Sequence, residues 1–359
     1  MKEKIYINGK FLNQAITGVQ RTAHELIKGI DELIDQGIIN RNLYDIILIY
    51  PQLRCEAPQY KFVQLLQKGI LSGNLWEQIE LPAYTRGHVL LSLCMISTLF
   101  KRKQIVIVHD ASCYVNPQFF SFAFRSWYKF AIYILGKISL KIVTVSEFSK
   151  KELVKYAYID EKKISVISNA ADHILYRGKP SEEFRNKIKS NQPYLLAVSS
   201  LGENKNFKKL SEAFSELKFR NFKLIIAGGV SNTLNIERSN SVAQYLGYVT
   251  DNELKYLYEH AALFIFPSFY EGFGIPPLEA MILNCPVLSS NTSAMPEVLE
   301  DGVVYCNPYD VEDIAKKIQQ LIDDPKALNA LKTKGLEQAK KYNWQLSCEF
   351  FFNIVKNCI

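Results

Sequence analysis

Two carboxylates at a fixed spacing are the residues of this sequence that most clearly suggest chemistry. Glu271 and Glu279 lie eight positions apart in residues 263–286, which read LFIFPSFYEGFGIPPLEAMILNCP. The apolar start is typical of a buried strand, and the prolines at 276–277 fix φ where a helix can begin, so we expect Glu279 in the first helical turn. Intervening glycines let the backbone approach a ligand, and helix N-termini bind anions. Because carboxylates accept hydrogen bonds from hydroxyls, the segment predicts a site for a sugar nucleotide.

The elements that must position these residues alternate along the chain. Short β-rich runs alternate with amphipathic stretches, which predicts an α/β fold with a parallel sheet in each half. Apolar residues at helical spacing predict a first crossover helix over residues 18–35, and capping signals at Thr250 and Asp324 begin two later helices. The predicted strands are 4–7, 45–50, 88–93, 104–108, 141–145, 164–167, 194–198, 222–227, 262–266 and 286–289.

Length and a polar stretch indicate the domain organisation. The chain has 359 residues, 48% of them hydrophobic, which is enough for two cores. Residues 176–193 are rich in Lys, Glu and Ser and are bracketed by prolines. We therefore predict an N-terminal domain over 1–180, a second domain over 190–341, and a C-terminal helix within 342–359 that crosses back to the first domain.

Composition excludes several classes of protein. The net charge of +7 is mild for this length, and no basic tract with interleaved aromatic residues indicates a nucleic-acid partner. The seven cysteines include no C-x-x-C pair and the five histidines lack metal-ligand spacing, so we expect neither structural disulfides nor zinc. The first residues lack the apolar region of a signal peptide, and no apolar run is long enough to span a membrane. These features predict a cytoplasmic protein.

The segment with the two glutamates resembles the donor-binding motif of retaining glycosyltransferases of family four. That family has the GT-B architecture, in which two Rossmann-like doubly wound domains face each other across a cleft. The resemblance implies that Glu271 faces the transferred sugar and that Glu279 holds the ribose of the nucleotide. It also implies that sugar and diphosphate contact the backbone of Gly272, Phe273, Gly274 and Ile275. From the spacing alone, an ordinary strand–helix turn with solvated acids remains the alternative.

A second segment strengthens this resemblance. Residues 196–214, LAVSSLGENKNFKKLSEAF, are similar to the family's strand–loop–helix in which a basic residue binds the donor diphosphate. Lys205 takes that role by resemblance, and the alternative is a solvated surface lysine. Asn204 stands where the family often has arginine, so a planar, bidentate phosphate ligand is missing. The sequences at 225–229 and 245–249 resemble the family's nucleotide-side loops.

The first half of the chain resembles the family's acceptor side. Residues 8–26 place Gly18 at a helix N-terminus facing the interdomain cleft, where N–H groups can meet donor phosphate or acceptor. Residues 75–82 and 106–117 resemble a branch of the family found in bacterial surface-polysaccharide pathways. His109 ends an apolar strand within the latter, and the resemblance implies that it contacts the transferred sugar and stabilises charge at the anomeric centre. A core histidine bonded to backbone is the alternative.

Residues 118–140 combine many aromatic side chains with Arg125, Lys129 and Lys137. An aromatic and basic helix can lie in a membrane interface, which would suit a lipid-linked acceptor. A helix that is apolar on nearly all sides is more often buried against a sheet, and we favour that interpretation.

Together these features predict a retaining, metal-independent glycosyltransferase without a cofactor. It is expected to move a hexose from a nucleotide-diphosphate sugar to a hydroxyl of a glycan, in particular a lipid-linked surface-polysaccharide intermediate at the inner face of the membrane. No D-x-D triplet follows a predicted strand, so Lys205 and backbone N–H groups are expected to stabilise the leaving group. A nucleotide-sugar epimerase and a non-catalytic sugar-nucleotide-binding protein are the alternatives. A dehydrogenase is disfavoured because no G-x-G-x-x-G follows the first strand.

Overall fold

The computed structural model describes residues 2–53, 56–189, 192–199, 202–218, 221–229 and 243–359. The chain divides into two units, one formed by Met1–Asn169 with Trp344–Ile359 and the other by Ala170–Asn343. The predicted first domain extends to residue 180, whereas the first unit ends at Asn169. Residues 170–180 join the second unit through contacts such as the ion pair of Arg177 with Asp251, at 3.1 Å. Ala170, Ala171 and Ile174 are buried, so the division between the units precedes the polar stretch 176–193 from which the boundary was predicted.

The described residues of the first unit form a seven-stranded sheet in which all neighbouring strands are parallel. Its order is β3-β2-β1-β4-β5-β6-β7. Central β1 pairs with β2 and β4, so that Ile5 lies between Ile46 and Val89 and all three side chains are buried. The strands are β1 (Glu3–Asn8), β2 (Tyr44–Tyr50), β3 (Gln64–Gln67), β4 (Val89–Ser92), β5 (Gln104–Ile107), β6 (Lys141–Thr144) and β7 (Ile164–Val166).

Helices follow the strands of this sheet. The predicted first crossover helix is confirmed at its stated bounds, and it buries an apolar stripe that includes Leu26, Ile30 and Leu33. A π-helical turn, Trp76–Glu80, joins two short helices into one continuous segment. The helices are α1 (Gly18–Asp35), α2 (Gly73–Leu75), α3 (Leu81–Tyr84), α4 (Ser112–Val115), α5 (Phe122–Ile138) and α6 (Glu147–Ala157).

The second unit repeats the pattern with a six-stranded parallel sheet of order β10-β9-β8-β11-β12-β13 among its described residues. Its strands are β8 (Tyr194–Val198), β9 (Lys223–Ala227), β10 (Ala243–Gly247), β11 (Leu263–Phe266), β12 (Val287–Ser290) and β13 (Val304–Cys306). Its helices are α7 (Glu182–Ile188), α8 (Phe207–Glu216), α9 (Asp251–His260), α10 (Ile275–Ile282), α11 (Met295–Leu299), α12 (Val311–Asp323) and α13 (Pro325–Ala339). The two parallel sheets confirm the predicted α/β fold class, and the predicted caps begin α9 and α13 at Thr250 and Asp324.

The last helix, α14 (Trp344–Lys356), belongs to the first unit and packs against α1. Close packing depends on a glycine, because a Cβ at Gly29 would lie 2.2 Å from the Sγ of Cys348. That sulfur also lies 3.7 Å from the carbonyl oxygen of Leu26. The approach of the two helices explains why a small residue occurs in the middle of α1 despite its low helix propensity.

Helix α5 is only partly core. Its buried residues, Ala131, Ile132, Leu135 and Gly136, all lie in the C-terminal half. Upstream, Phe122 is 74% exposed and Phe130 is 54% exposed. The favoured core interpretation is therefore right for the second half and wrong for the first, since composition cannot show how far along a helix its neighbours extend. None of the helices in the described ranges combines the length and apolarity needed to cross a membrane.

Three strands were missed by the sequence analysis: β3, β10 and β13. Strand β3 reads QLLQ and is largely exposed at one edge of its sheet. Strand β13 has three residues and lies at the edge of the other sheet. Strand β10 includes residues that we assigned to a nucleotide-side loop, and it is the opposite edge of that sheet. Edge strands bury fewer side chains, which weakens the apolar signal.

Candidate functional site

The candidate site of the second unit lies where its sheet changes winding direction. Strands β8 and β11 are neighbours, although β9 and β10 come between them in the chain and lie on the far side of β8. Open α/β sheets bind ligands outside the carboxyl ends of strands at this switch point. Lys205 follows β8, and Glu271 follows β11. The topology therefore brings two residues that are distant in sequence to the same edge of the sheet.

An asparagine fixes the loop that carries Lys205. Asn206 adopts a left-handed conformation with φ of 63° and is buried. Its Nδ2 donates to the carbonyl oxygens of Pro267, at 3.0 Å, and Pro308, at 2.7 Å. The N–H of Phe269 also donates to the carbonyl of Asn204 at 2.9 Å. The bonds to Pro267 and from Phe269 connect the loop after β8 to the loop after β11, and the bond to Pro308 connects it to the segment after β13. The position of Lys205 relative to Glu271 is therefore set by the Asn206 side chain and by the backbone of these loops.

Lys205 and Glu271 form an ion pair. The Nζ of Lys205 lies 2.7 Å from Oε1 of Glu271, and the two side chains are 15% and 14% exposed. The N–H of Glu271 donates to the Oγ of Ser293 at 3.0 Å, which holds the glutamate backbone. An anion that binds Lys205 must therefore share the ammonium with Glu271 or displace its carboxylate.

The turn after Glu271 brings backbone N–H groups to the start of α10. Gly274 has φ of 96°, a conformation that glycine adopts without strain, and a Cβ there would lie 2.5 Å from Cε of Met295. Helix α10 begins at Ile275, and the next two residues are prolines that lack N–H groups. The donors of this turn must therefore come from residues 272–275. The ring of Phe273 is buried and meets Tyr342 edge to face, so the backbone of Phe273 is what it can offer to a ligand.

Glu279 belongs to a separate hydrogen-bonded group. It is the fifth residue of α10, in the second helical turn rather than the predicted first, and it is buried. Nε2 of His173 lies 3.0 Å from its Oε1, and the hydroxyl of Tyr258 lies 3.0 Å from its Oε2. Burial and the neighbouring carboxylate raise the pKa of Tyr258 well above its ordinary value, so this hydroxyl remains a donor. Each carboxylate oxygen has a second lone pair with which it can accept a ligand hydroxyl.

Sequence reasoning missed both donors to Glu279. His173 directly follows Asn169-Ala170-Ala171-Asp172. In the family that the sequence resembles, the corresponding segment is commonly Asn-Gly-Val-Asp, and the position of His173 beside Asp172 was the signal available for predicting a role for this histidine. Tyr258 lies in α9, the helix predicted from the capping signal at Thr250. An aromatic residue on the buried face of a helix is ordinarily interpreted as a core residue. Only the packing of α9 against α10 shows that its hydroxyl meets a carboxylate.

Gly18 and His109 lie in the first unit. Gly18 is the first residue of α1, as predicted, and the N–H of Thr17 before it donates to Oε1 of Gln20 at 3.2 Å. His109 is buried two residues beyond β5. Its Nε2 lies 2.9 Å from the carbonyl oxygen of Leu93. Because a carbonyl only accepts, Nε2 carries the proton, and Nδ1 of the neutral ring is an acceptor.

Because His109 is buried, the free energy of unfolding should depend on pH below neutrality. Loss of solvation lowers the pKa of His109 to about 4, while the bond to Leu93 partly opposes the shift. The unfolded chain therefore binds a proton near pH 6.5 that the native chain does not bind until about pH 4. The free energy of unfolding should fall as pH decreases through this window, by at most about 1.4 kcal/mol per pH unit from this residue. Urea unfolding of wild type and His109→Gln at pH 7 and pH 5 measures it, and identical pH losses in the two proteins would contradict the assignment.

No group of three or more His, Cys, Asp or Glu side chains in the described ranges is arranged to hold a metal ion. The six cysteines within those ranges are free. Cys55 lies outside the described residues.

Comparisons with known proteins agree with this architecture. The sequence profile of the family described as "Glycosyl transferases group 1" matches residues 178–338. The O-antigen chain mannosyltransferase B of Escherichia coli is 30% identical over 256 residues, which are 68% of this chain and 67% of that protein. The O-antigen chain mannosyltransferase RfbU of Salmonella typhimurium LT2 is 34% identical over 236 residues, 62% of each chain. This match spans less than two-thirds of RfbU.

Solved structures confirm the predicted GT-B fold class. The crystal structure of Anabaena Alr3699/HepE in complex with UDP and glucose superimposes with a TM-score of 0.75 at 16% identity, covering 99% of this chain and 100% of that one. Sequence, sheet topology and the matched profile thus lead to one family. The chain is a glycosyltransferase and belongs to the group 1 family of glycosyl transferases.

Proposed function

We propose that the chain transfers a hexose from a nucleotide-diphosphate sugar to a hydroxyl of a glycan, with retention of anomeric configuration and without a metal ion or cofactor. The observation that carries the proposal is the Lys205–Glu271 pair at the switch point of the second sheet, followed by a turn with backbone donors. A cation, several N–H groups and a carboxylate match a diphosphate with an attached sugar.

The leaving group is the first electrostatic problem of such a reaction. A nucleoside diphosphate gains negative charge as the glycosidic bond breaks. The ammonium of Lys205 and the N–H groups of residues 272–275 are the groups proposed to stabilise that charge. Because these donors are held in place by the protein before reaction, little reorganisation is needed.

The two glutamates have different surroundings, which supports different roles. Glu271 is partly exposed, and we propose that it faces the transferred sugar. Glu279 has a donor on each oxygen, and we propose that it accepts a ribose hydroxyl on a remaining lone pair. A double displacement needs a second carboxylate that is free to attack the sugar. Since the carboxylate of Glu279 is held by His173 and Tyr258, we favour attack by the acceptor on the same face that the leaving group departs from.

The relatives suggest which sugar and acceptor to examine first. Both matched relatives are named as O-antigen chain mannosyltransferases. We therefore propose a mannose nucleotide as donor and a cell-surface polysaccharide intermediate, carried on a lipid at the cytoplasmic side of the membrane, as acceptor.

A thermal-shift panel of nucleotide sugars tests the donor. A ligand at a hundred times its dissociation constant should add about 2.7 kcal/mol of stability, and the panel should include GDP-mannose, UDP-glucose and the free nucleotides. Incubation with donor and a glycoside should then join the sugar to the second molecule, and NMR of the product should show the anomeric configuration of the donor. A panel without any shift would contradict the proposal, and conversion of the donor to an isomer without transfer would indicate an epimerase.

Glu279→Ala should weaken donor binding more than it lowers turnover. The ribose is bound before and during reaction, so losing a hydrogen bond to a charged group should raise the donor dissociation constant by roughly tenfold to a hundredfold. Tyr258→Phe, which keeps the carboxylate but removes one of its donors, should have a smaller effect in the same direction. Titration of nucleotide by calorimetry measures both variants. Unchanged affinity in a folded Glu279→Ala protein would exclude the ribose contact.

We propose that the exposed half of α5 attaches the first unit to anionic lipid. Phe122 and Phe130 are exposed, and Arg125, Lys129 and Lys137 lie on the same helix. The guanidinium of Arg125 stacks over the ring of Phe122 at 5.5 Å, which places a cation beside an apolar ring. Aromatic rings beside basic groups are typical of helices that lie at the surface of a bilayer.

Binding to vesicles should depend on those charges. Wild-type protein should sediment with phosphatidylglycerol vesicles at low salt, and high salt or Arg125→Glu with Lys129→Glu should release it, because each basic side chain contributes about 1 kcal/mol near an anionic surface. Lys316→Glu with Lys326→Glu, two exposed lysines of the second unit, is the control with the same charge change. If wild type stays in the supernatant, or if both pairs behave alike, α5 is not a lipid-binding element.

A further inference from the structure

The first unit has its own switch point, and a charged cluster occupies it. Strands β1 and β4 are neighbours, while β2 and β3 lie on the far side of β1. The carboxyl ends of these two strands carry Asn8 and Ser92, whose side chains are 3.2 Å apart. In open α/β sheets this crevice is where ligands bind. None of the roles described above uses it.

A lysine and a glutamate meet beside these strand ends. Lys10 lies in the 3₁₀ turn Gly9–Asn13 directly after β1, and Glu77 lies in the π-helical turn between α2 and α3. The Nζ of Lys10 donates to Oε2 of Glu77 and, at 3.1 Å, to Oδ1 of Asn74. The Nδ2 of Asn8 donates to Oε1 of Glu77 at 2.7 Å. Both oxygens of the carboxylate are thus held.

The burial of this cluster is uneven. Glu77 is fully buried, whereas the side chain of Lys10 is 15% exposed and Asn74 is exposed. Within the described chain, the ammonium of Lys10 has two acceptors for its three N–H groups, so one N–H remains for a ligand. The cluster therefore presents a donor at its outer end and is anchored at its inner end.

Stability alone is a weak reason for such a pair. A buried ion pair is often no more stabilising than apolar residues of similar volume, because its charges lose their hydration. Burial raises the pKa of Glu77, and the neighbouring Lys10 opposes that shift. The glutamate also lies in a π-helical turn, a geometry that occurs mostly as a single turn within α-helices and frequently at functional sites.

The two units use the same arrangement. In each unit, a lysine lies in a 3₁₀ turn after the first strand of the switch point and pairs with a glutamate from another segment of that unit. The pair is Lys205 with Glu271 in the second unit and Lys10 with Glu77 in the first unit. One difference is decisive. Around the first-unit pair, Asn8 and Asn74 place side-chain amides beside the carboxylate and the ammonium. Side-chain amides both donate and accept hydrogen bonds, so they suit uncharged hydroxyls better than a diphosphate, which only accepts.

We infer that Lys10, with Asn74 and Glu77, forms a hydroxyl-binding subsite for the carbohydrate acceptor. This inference rests on the proposed glycosyl transfer. The remaining N–H of Lys10 donates to an acceptor hydroxyl, the amide of Asn74 binds the same or the adjacent hydroxyl, and Glu77 keeps the ammonium in place without contacting the sugar. Glu77 is thus a positioning residue, and Lys10 is the binding residue.

The test compares acceptor and donor affinity in folded variants. The double variant Lys10→Met/Glu77→Gln removes both charges together, so no buried charge is left unpaired. With methyl α-mannoside, methyl α-glucoside, methyl α-galactoside and methyl N-acetylglucosaminide as probes, the KM for the acceptor should rise by roughly tenfold or more, the loss expected for a hydrogen bond to a charged group. The dissociation constant of the donor should change by less than about twofold, because the groups proposed to bind its ribose and diphosphate, Glu279 and Lys205, lie in the other unit. Lys61→Met with Asp35→Asn, a pair of the same unit with side chains 65% and 51% exposed, is the control and should change neither constant.

The outcomes separate this inference from the proposed function. An unchanged acceptor KM in a double variant that circular dichroism shows to be folded would overturn the subsite. A wild-type protein that binds donor but transfers to none of the four glycosides would contradict the proposed transfer and not the subsite. Absence of donor binding in the wild type would instead contradict the proposed function itself. If the acceptor KM is unchanged in Glu77→Gln but rises in Lys10→Met, Glu77 does not position Lys10.

Discussion

Glu271→Gln should lower kcat by roughly a hundredfold to a thousandfold without weakening donor binding. The variant keeps the size of the side chain and removes its charge. A carboxylate beside the transferred sugar stabilises positive charge at the anomeric carbon, and that charge develops only in the transition state. In the free protein the same carboxylate neutralises Lys205 at 2.7 Å. Removing it releases the ammonium for the diphosphate, so the donor dissociation constant should stay the same or decrease.

In Glu271→Gln, kcat should therefore fall without an increase in the donor dissociation constant. Turnover at saturating donor gives kcat, and calorimetric titration with the nucleotide sugar gives the dissociation constant. Glu297→Gln is a useful control because it makes the same change on α11, outside the turn that follows β11. A donor affinity that falls in parallel with kcat would mean that Glu271 binds ground state and transition state equally, and its proposed role would be wrong.

Lys205→Met should have the opposite signature, raising the donor dissociation constant by roughly tenfold to a hundredfold. The variant removes the cation and also leaves the carboxylate of Glu271 without its partner, next to an incoming diphosphate. Repulsion of like charges then adds to the lost attraction. Lys205→Arg should recover part of the affinity, because it restores a charge in the loop that Asn206 fixes.

Combining the two changes gives a sharper result. If the unpaired carboxylate of Glu271 repels the donor diphosphate, Glu271→Gln should improve donor affinity more in the Lys205→Met background than in the wild type, where the ammonium already neutralises that carboxylate. Lys208→Met, an exposed lysine on the adjacent helix, controls for the loss of a nearby charge. Additive effects of the two substitutions would show that the ion pair does not influence donor binding.

Local sequence determined the elements of this fold well. Helix α1 begins and ends where apolar periodicity predicts, and ten of the strands follow from short apolar runs, because buried parallel strands and amphipathic helices leave strong patterns. The three strands missed are at sheet edges, where burial and therefore pattern are weakest. The units divide at Asn169, before the polar stretch at 176–193, because the segment that follows Asn169 includes buried side chains of the second unit.

The candidate site was predictable as far as single residues and their motif. Glycines, prolines and two glutamates in one segment indicated an anion next to hydroxyls, and the resemblance gave Lys205 its expected role. What no local pattern contains is the partner of each group. Glu279 is held by His173, more than a hundred positions away, and by Tyr258. The exposure of Phe122, at the start of a helix whose second half is buried, likewise depends on tertiary contacts that no local pattern contains.

By itself, then, the sequence indicated which residues are candidates for the site, since residue type and short spacing are written in the chain. The tertiary structure alone decided which of them meet. Sheet topology brings the loops after β8 and β11 together, and it brings Asn8 and Ser92 together at the other switch point. The physical reason is that strand order depends on long-range pairing of parallel strands, and contacts between distant residues leave no periodic signal in either segment.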